Sequence, residues 1–222
     1  MTPEVPAWLD PLRSNVRSVR PEQLSRFLPP EEGGRNSAVL ILIGEGPLGP
    51  DVLLMQRADA MRSHAGQPAF PGGAADPGDG GPTGTALREA AEEVGVLADG
   101  VTVLAELPAL YLPPSGYVVT PVLGWWHEPS DVGVVDPAET ASVARVPIAE
   151  LVDPRNRFSS RHPSGFLGPS FAVRDMLVWG FTAGVLDKVL TLGGWALPWD
   201  AGDVRDLPAA VLALSAGPGT RG

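Results

Sequence analysis

Glu89, Glu92 and Glu93 stand at i, i+3 and i+4 in the stretch from Arg88 to Val94, which reads as helix. At about 100° per residue, Glu92 and Glu93 fall about 60° and 40° either side of Glu89, so three carboxylates crowd one stripe. Like-charge pairs at these spacings cost roughly 0.2–0.5 kcal/mol each. Glu92 and Glu93 also occupy the last turn before Gly95, where the helix dipole opposes negative charge by roughly 0.3–1 kcal/mol. A divalent cation on the stripe removes both penalties, so the cluster reads as a metal site. A lone Glu-x-x-Glu-Glu would more simply be a solvated helix face. Here the stripe follows the glycine pair Gly72-Gly73, carries Arg88 immediately before Glu89, and ends in Val94-Gly95-Val96.

That ensemble resembles the Nudix box, Gly-x5-Glu-x7-Arg-Glu-U-x-Glu-Glu-x-Gly-U with U a bulky aliphatic. Gly73, Arg88, Glu89, Glu92, Glu93, Gly95 and Val96 match it. Asp79 stands where the first Glu is expected, eight residues rather than seven separate it from Arg88, and Ala90 is small for the first U. Upstream, Leu54 to Gly73 resembles the additional signature of the coenzyme A pyrophosphatase branch of Nudix hydrolases. That signature is approximately Leu-Leu-x-x-Arg-Ser-x3-Arg-x-His-x-Gly-x3-Phe-Pro-Gly-Gly, and Ala58 replaces its Ser. The branch tends to carry Asp at the positions of Asp76 and Asp79, and the Asp and the extra residue in the box are then features of the branch. Pro114 to Val122 and Val178 to Gly184 also resemble that branch, so the likeness spans about residues 37–192.

The upstream stretch has its own physical reading. Arg57, Arg62 and His64 bring donors to a Gly-rich loop facing the carboxylate helix, and the forked donors of arginine suit phosphate oxygens. Backbone N–H groups around Gly66, Gly72 and Gly73 can approach a ligand closely because no Cβ intervenes. The alternatives are that Arg57 pairs with Asp59 or Asp76 and that His64 braces the loop. Phe70-Pro71 packs and shapes that loop.

The resemblance implies hydrolysis of a diphosphate joined to another moiety, with water as nucleophile. Metals on Glu89 and Glu93, helped by Glu92 and a backbone carbonyl of Gly73 or Gly72, would bridge phosphate oxygens and lower the pKa of bound water. All-oxygen ligands select Mg²⁺ or Mn²⁺ over zinc. Arg88 positions Glu89 or Glu92 rather than touching substrate. Glu92 and Glu139 are the two candidates for general base, Glu139 sitting where many Nudix proteins place a distal acidic residue. Arg57, Arg62, His64 and Gly72 are the candidate substrate contacts. Coenzyme A or a derivative is the expected substrate; the alternatives are another nucleoside diphosphate such as a nucleotide sugar, or a sensor that binds nucleotide without turnover. The repelling carboxylates argue against a pure sensor.

Composition agrees. A chain of 222 residues with a net charge of −10 and a single lysine, Lys188, is poorly suited to coat nucleic acid. An anionic substrate must therefore be received by metal ions and a few placed arginines. With no cysteine, disulfides and thiolate chemistry are excluded. No Gly-Lys-Ser/Thr makes a P-loop, no Gly-x-Ser-x-Gly makes a serine-hydrolase elbow, and the three histidines lack zinc spacing. No run approaches the roughly 20 apolar residues of a membrane helix. The opening Met-Thr-Pro-Glu-Val-Pro lacks a basic n-region and an apolar h-region, so a cytoplasmic location is expected.

Several elements must position these groups. Residues 1–36 read as an N-terminal extension with a short helix over Pro21 to Leu28, residues 37–194 as the hydrolase domain, and 195–222 as a tail, disordered from Ser215 onward. Ser37–Glu45 and Asp51–Arg57 read as a hairpin, and residues 58–82 as a long Gly/Pro loop. Thr83 or Thr85 is the expected N-cap of the carboxylate helix and Gly95 its C′ residue. Val101–Leu112, Val118–Trp126 and Glu139–Val146 read as strands, Ile148–Val152 as a short helix, Arg157–Val173 as loop with strand fragments, and Met176–Leu192 as a helix. Strands around two well-separated helices suggest an α/β fold with a mixed sheet covered on both faces. The resemblance implies the same architecture, a Nudix-type α/β/α sandwich.

Overall fold

The run Val39-Leu40-Ile41-Leu42-Ile43 offers no polar face, as befits a strand covered on both sides. In the computed structural model, which describes residues 3–59, 64–113 and 115–215, it lies at the centre of an eight-stranded mixed sheet. In chain order the helices and strands are α1 (Asp10–Val16), α2 (Pro21–Leu24), β1 (Arg35–Gly46), β2 (Gly49–Arg57), β3 (Pro68–Ala69), β4 (Gly72–Ala74), α3 (Pro82–Val94), β5 (Val101–Glu106), β6 (Leu110–Leu112), β7 (Tyr117–Trp126), β8 (Thr140–Pro147), α4 (Ile148–Val152), β9 (Arg157–Arg161), β10 (Leu167–Val173), β11 (Met176–Val178), α5 (Gly180–Leu192), β12 (Val204–Asp206) and α6 (Ala209–Ser215).

β1 pairs in parallel with β7 along one edge, from Arg35 opposite Tyr117 to Ile43 opposite Trp125. Its other edge is shared. Ile43 to Gly46 pair antiparallel with β2, whereas Ser37 to Val39 pair antiparallel with β4. The sheet therefore splays between β1 and β2, and the glycine pair enters that gap. Period-2 alternation sends Ala38, Leu40 and Leu42 to one face, where they pack with Ala86, Ala90 and Val94 of α3. Ile41 and Ile43 face the other way and join Val185, Leu186, Val189 and Leu190 of α5. The fold is the expected sandwich, with a smaller four-stranded sheet, β11-β10-β9-β12, beside it.

Four expected elements came out differently. The loop expected over residues 58–82 contains β3 and β4, too short to show as periodic runs. Val101–Leu112 is two strands, β5 and β6, separated by Leu107–Ala109. Met176–Leu192 is not one helix. Arg174 and Asp175 both have positive φ, 49° and 60°, and turn β10 back into β11, with Val173 opposite Met176. Gly180, at φ 62°, then turns the chain as the first residue of α5. The short helix after Pro21 ends at Leu24, because Ser25 is extended at φ −151°. Residues 216–222 of the expected disordered tail, and Pro114, lie outside the described residues.

Helix α1 had a signal in Leu9, Leu12 and Val16, spaced i, i+3, i+7 around Pro11. Those side chains join the α5-side core, and Asn15 Nδ2 donates to the Leu192 carbonyl at 2.8 Å. Leu12 is fully buried. Leu12→Ala should therefore cost about 2–5 kcal/mol in urea unfolding at constant m-value. A loss below about 1 kcal/mol would mean that α1 contributes little to the cooperative core.

Candidate active site

Helix α3 carries the carboxylates, and its start differs from expectation. Gly81, at φ 127°, is the N-cap and Pro82 the first helical residue, so the helix begins before Thr83. Thr83 instead donates its N–H (3.2 Å) and its hydroxyl (2.7 Å) to the Glu106 carboxylate at the end of β5. Glu106 thus satisfies an orphan donor of the first turn, a role with no local sequence signal. Thr85 donates its hydroxyl to Asp79 Oδ2 at 2.8 Å. Gly95 ends the helix as expected, left-handed at φ 80°. The loop before β8 then supplies donors to the exposed carbonyls: Gly133 N–H to Val94 at 3.1 Å and Val135 N–H to Glu93 at 3.4 Å. These donors offset the dipole that opposes Glu92 and Glu93.

Arg88 is the hub of the helix's outer side. Its Nε and Nη2 grip Asp79 at 2.7 and 3.1 Å, Nη1 reaches Glu92 at 2.9 Å and Glu89 at 3.0 Å, and Nη2 reaches the Ala74 carbonyl at 3.0 Å. The Arg88 fork holds the Asp79 carboxyl far below the usual carboxylate range, aided by the Asp76 N–H and the Thr85 hydroxyl. The longer loop to Asp79 fits because a Cβ on Gly84 would lie 1.7 Å from the Asp79 carbonyl oxygen; only glycine permits that approach.

On the inner side, Glu89 rests against the glycine pair. A Cβ on Gly73 would meet the Glu89 carboxyl carbon at 2.4 Å, and one on Gly72 would meet the Ala38 carbonyl oxygen at 2.3 Å. Gly72 donates its N–H to Glu93 Oε2 at 2.9 Å, while Arg57 Nη1 lies 3.7 Å from Glu93 Oε1. Arg57 is thus engaged with Glu93 rather than with Asp59 or Asp76, and Asp76 lies 3.8 Å from Arg88 instead. The Glu93 side chain is 4% exposed. Burial pushes its pKa up to about 7 against the partial relief from Gly72 and Arg57, with Glu89 and Glu139 raising it further. Glu89 is raised as well, chiefly by burial, with Arg88 opposing and Glu92 and Glu139 adding repulsion.

Glu139, at the mouth of β8, joins this field. Its carbonyl accepts from Ala58 N–H at 2.8 Å, which holds it beside the end of β2. Glu92 is the outlier of the stripe, 60% exposed and bound to Arg88. His64 sits at φ 55° in a turn closed by Gln67 N–H to its carbonyl at 3.2 Å, with Nδ1 3.2 Å from Gln67 Oε1. Burial lowers its pKa, and nearby Arg57 lowers it further. Arg62 lies outside the described residues. The structure thus gathers Glu89, Glu93, Glu139, Arg57, Gly72 and Gly73, with His64 on the adjoining turn.

Among the described residues no three His, Asp or Glu side chains already close into a metal cage. The donor set nevertheless fits a hard cation. Glu89 and Glu93 are oxygen donors on one helical stripe, each made harder to ionise chiefly by its own burial. A divalent cation would reverse that cost.

A Nudix domain family model matches residues 34–164. The chain is 37% identical over 166 residues to the uncharacterized Nudix hydrolase NudL of Photorhabdus laumondii, covering 71% of this chain and 84% of that protein. It is 36% identical over 197 residues to the NudL of Cronobacter sakazakii, covering 83% and 94%. Among solved structures it is similar to the Nudix hydrolase RenU of M. smegmatis, with a TM-score of 0.48 and 23% identity over 73% of this chain and 88% of that one. A Nudix hydrolase from Nitrosomonas europaea gives a TM-score of 0.49 with 13% identity, covering 80% and 82%.

The raised Glu93 carboxyl makes metal-free stability depend on pH. Folded Glu93 holds its proton up to about 7 against 4.5 when unfolded, so its burial costs nothing below pH 4.5. The folded state loses stability as pH rises through that window, by on the order of 3 kcal/mol once past pH 7. In chelator, Glu93→Gln should be more stable than the parent at pH 8, and the advantage should vanish at pH 4.5. Equal urea midpoints for the two proteins at pH 8 would refute the burial of a repelled carboxylate.

Proposed function

The chain belongs to the Nudix family of hydrolases, enzymes that act on phosphorus-containing anhydrides, and from that premise we propose that it cuts the diphosphate of coenzyme A or one of its derivatives. The products are 3′,5′-ADP and 4′-phosphopantetheine or its acylated form. The observation that carries this reading is the stretch from Arg57 to Gly73. Its pattern resembles that of the coenzyme A branch, and Arg57 at its start and Gly72 near its end both reach Glu93.

Each residue then has a part. Nudix hydrolases use divalent metal ions, and here Glu89 and Glu93, with a carbonyl of Gly72 or Gly73, would hold Mg²⁺ or Mn²⁺. Such an ion supplies Lewis-acid polarisation of the phosphate and a bound water of lowered pKa. Arg57, with a buried Nε that has no partner among the described residues, turns its guanidinium toward the diphosphate. His64, whose pKa burial lowers, offers a hydrogen bond to the substrate. Arg88 fixes the rotamers of Glu89 and Glu92. Glu139 is the better placed general base, because Glu92 is already committed to Arg88 and Glu139 lies in the field of Glu89 and Glu93.

A panel of coenzyme A, acetyl-coenzyme A, ADP-ribose, NADH and diadenosine polyphosphates, assayed with Mg²⁺ and Mn²⁺, tests the substrate. Coenzyme A should lead in kcat/KM. A lead by ADP-ribose or by a dinucleotide would return the chain to the general nucleoside-diphosphate hydrolases. Arg57→Ala should lower kcat/KM on coenzyme A about 10- to 150-fold, the worth of one charge-assisted hydrogen bond of roughly 1.5–3 kcal/mol. Arg57→Lys should recover only part, since an ammonium lacks the fork.

The base assignment has its own readout. Glu139→Gln should reduce kcat on the order of 100-fold or more with KM little changed. Glu92→Gln should change kcat far less. The reverse pattern would give the role to Glu92.

A further inference from the structure

Helix α6 is peculiar for a surface helix of an acidic chain. Ala209 to Leu214 contains no charged residue, and Val211, Leu212 and Leu214 are half-buried. Its start is pinned to the smaller sheet: β12 runs parallel to β9, with Val204 opposite Ser159. Leu207 is 5% exposed, and its N–H donates to the Arg161 carbonyl at 3.1 Å. Its far end lands on the stretch that carries Arg57 and His64. A Cβ on Gly66 would lie 2.7 Å from Leu214 Cδ1 and 2.8 Å from Asp59 Oδ1, so the leucine methyl rests directly on the Gly66 backbone. Gly66 is left-handed at φ 65°, a conformation that glycine supplies at least cost.

From that contact a short chain of bonds leads to the carboxylates. The Gly66 carbonyl accepts from Gln56 Nε2 at 3.2 Å, and the Gln67 carbonyl accepts from Arg57 N–H at 3.0 Å. Arg57 in turn faces Glu93. The His64–Gln67 turn is thus held on one side by β2 and on the other by a methyl group of α6.

We propose that α6 is a positioning element of the active site, in which Leu214 seats the His64–Gln67 turn and, through it, Arg57. The proposal rests on the reading of Arg57 as a contact to substrate phosphate. Without the leucine the turn is free to lift from β2, and Arg57 loses its fixed approach while the carboxylates on α3 stay in place. The consequence is weaker substrate binding with intact chemistry.

The test is a double-mutant cycle of Leu214→Ala and Arg57→Ala, assayed on the panel substrate cut fastest. Leu214→Ala should raise KM about 3- to 30-fold with kcat within about twofold. Leu214→Met, which refills the contact, should restore KM. In the double variant the two effects on KM should not multiply. Amide exchange supplies a readout apart from turnover: the N–H of Gln67 and of Arg57 should lose protection in Leu214→Ala, while those of β1 and β7 keep theirs. An unchanged KM in Leu214→Ala beside a weakened Arg57→Ala overturns the role of α6 alone. Multiplying effects overturn the route through Arg57. An unchanged KM in Arg57→Ala removes the phosphate contact and this proposal with it.

Discussion

The site depends on one buried carboxylate held against a glycine backbone. Among the described residues Glu93 receives one N–H, from Gly72 at 2.9 Å, and a guanidinium at 3.7 Å, too little to compensate a charge removed from water. The same contact requires Gly72 and Gly73 to lie flat on β1 and on Glu89, where any Cβ would collide at 2.3–2.4 Å. Strand β4 can occupy that place only because β1 surrenders part of its β2-side edge to it. Helix α3, the glycine pair and the splay of the sheet are consequences of one another. A cation bound there would meet the need that the protein leaves open and would offset the repulsion on this stripe.

The sequence was a good guide where the physics is local or periodic. The five-residue apolar run announced a central strand, and Gly95 announced the end of α3. It was a poor guide where a distant group decides. Nothing near Thr83 says that Glu106, twenty-three residues on, takes its N–H, so the start of α3 was misplaced. Residues 176–178 carry apolar residues compatible with either period. The turn at Arg174-Asp175 made them a strand, in two residues without the usual glycine.

Within the site, legibility followed the same division. The glycine pair and the carboxylates were readable because their spacing is itself the chemistry. The partner of Arg57 was not, because Asp59 and Asp76 are near in sequence whereas Glu93 is near only after β2 and α3 pack on the same sheet. Glu139 was suggested by position alone. Its proximity to Glu89 and Glu93 comes from the hydrogen bond of its carbonyl to Ala58, a long-range backbone contact. The departures in the box also have a structural resolution: Asp79 is shorter than the expected Glu, yet the added loop residue and the bare Gly84 let it approach Arg88 closely enough for two hydrogen bonds.

That last arrangement bears on the composition. Lys188 is the only lysine among 16 basic residues. At position 88 the preference has a visible cause. One guanidinium serves two oxygens of Asp79, an oxygen each of Glu92 and Glu89, and the Ala74 carbonyl, in a plane that no ammonium can span. Lysine there would leave Asp79 or Glu92 unpaired and let the loop from Ala74 to Asp79 swing from the helix. The fixed charge of arginine also does not titrate among the acids that surround it, so the loop stays anchored while Glu93, with its pKa near 7, responds to pH. The outer side of α3 is a rigid ionic clamp and the inner side a polarisable one; the helix presents both because Arg88 and Glu89, adjacent in sequence, project in different directions from it.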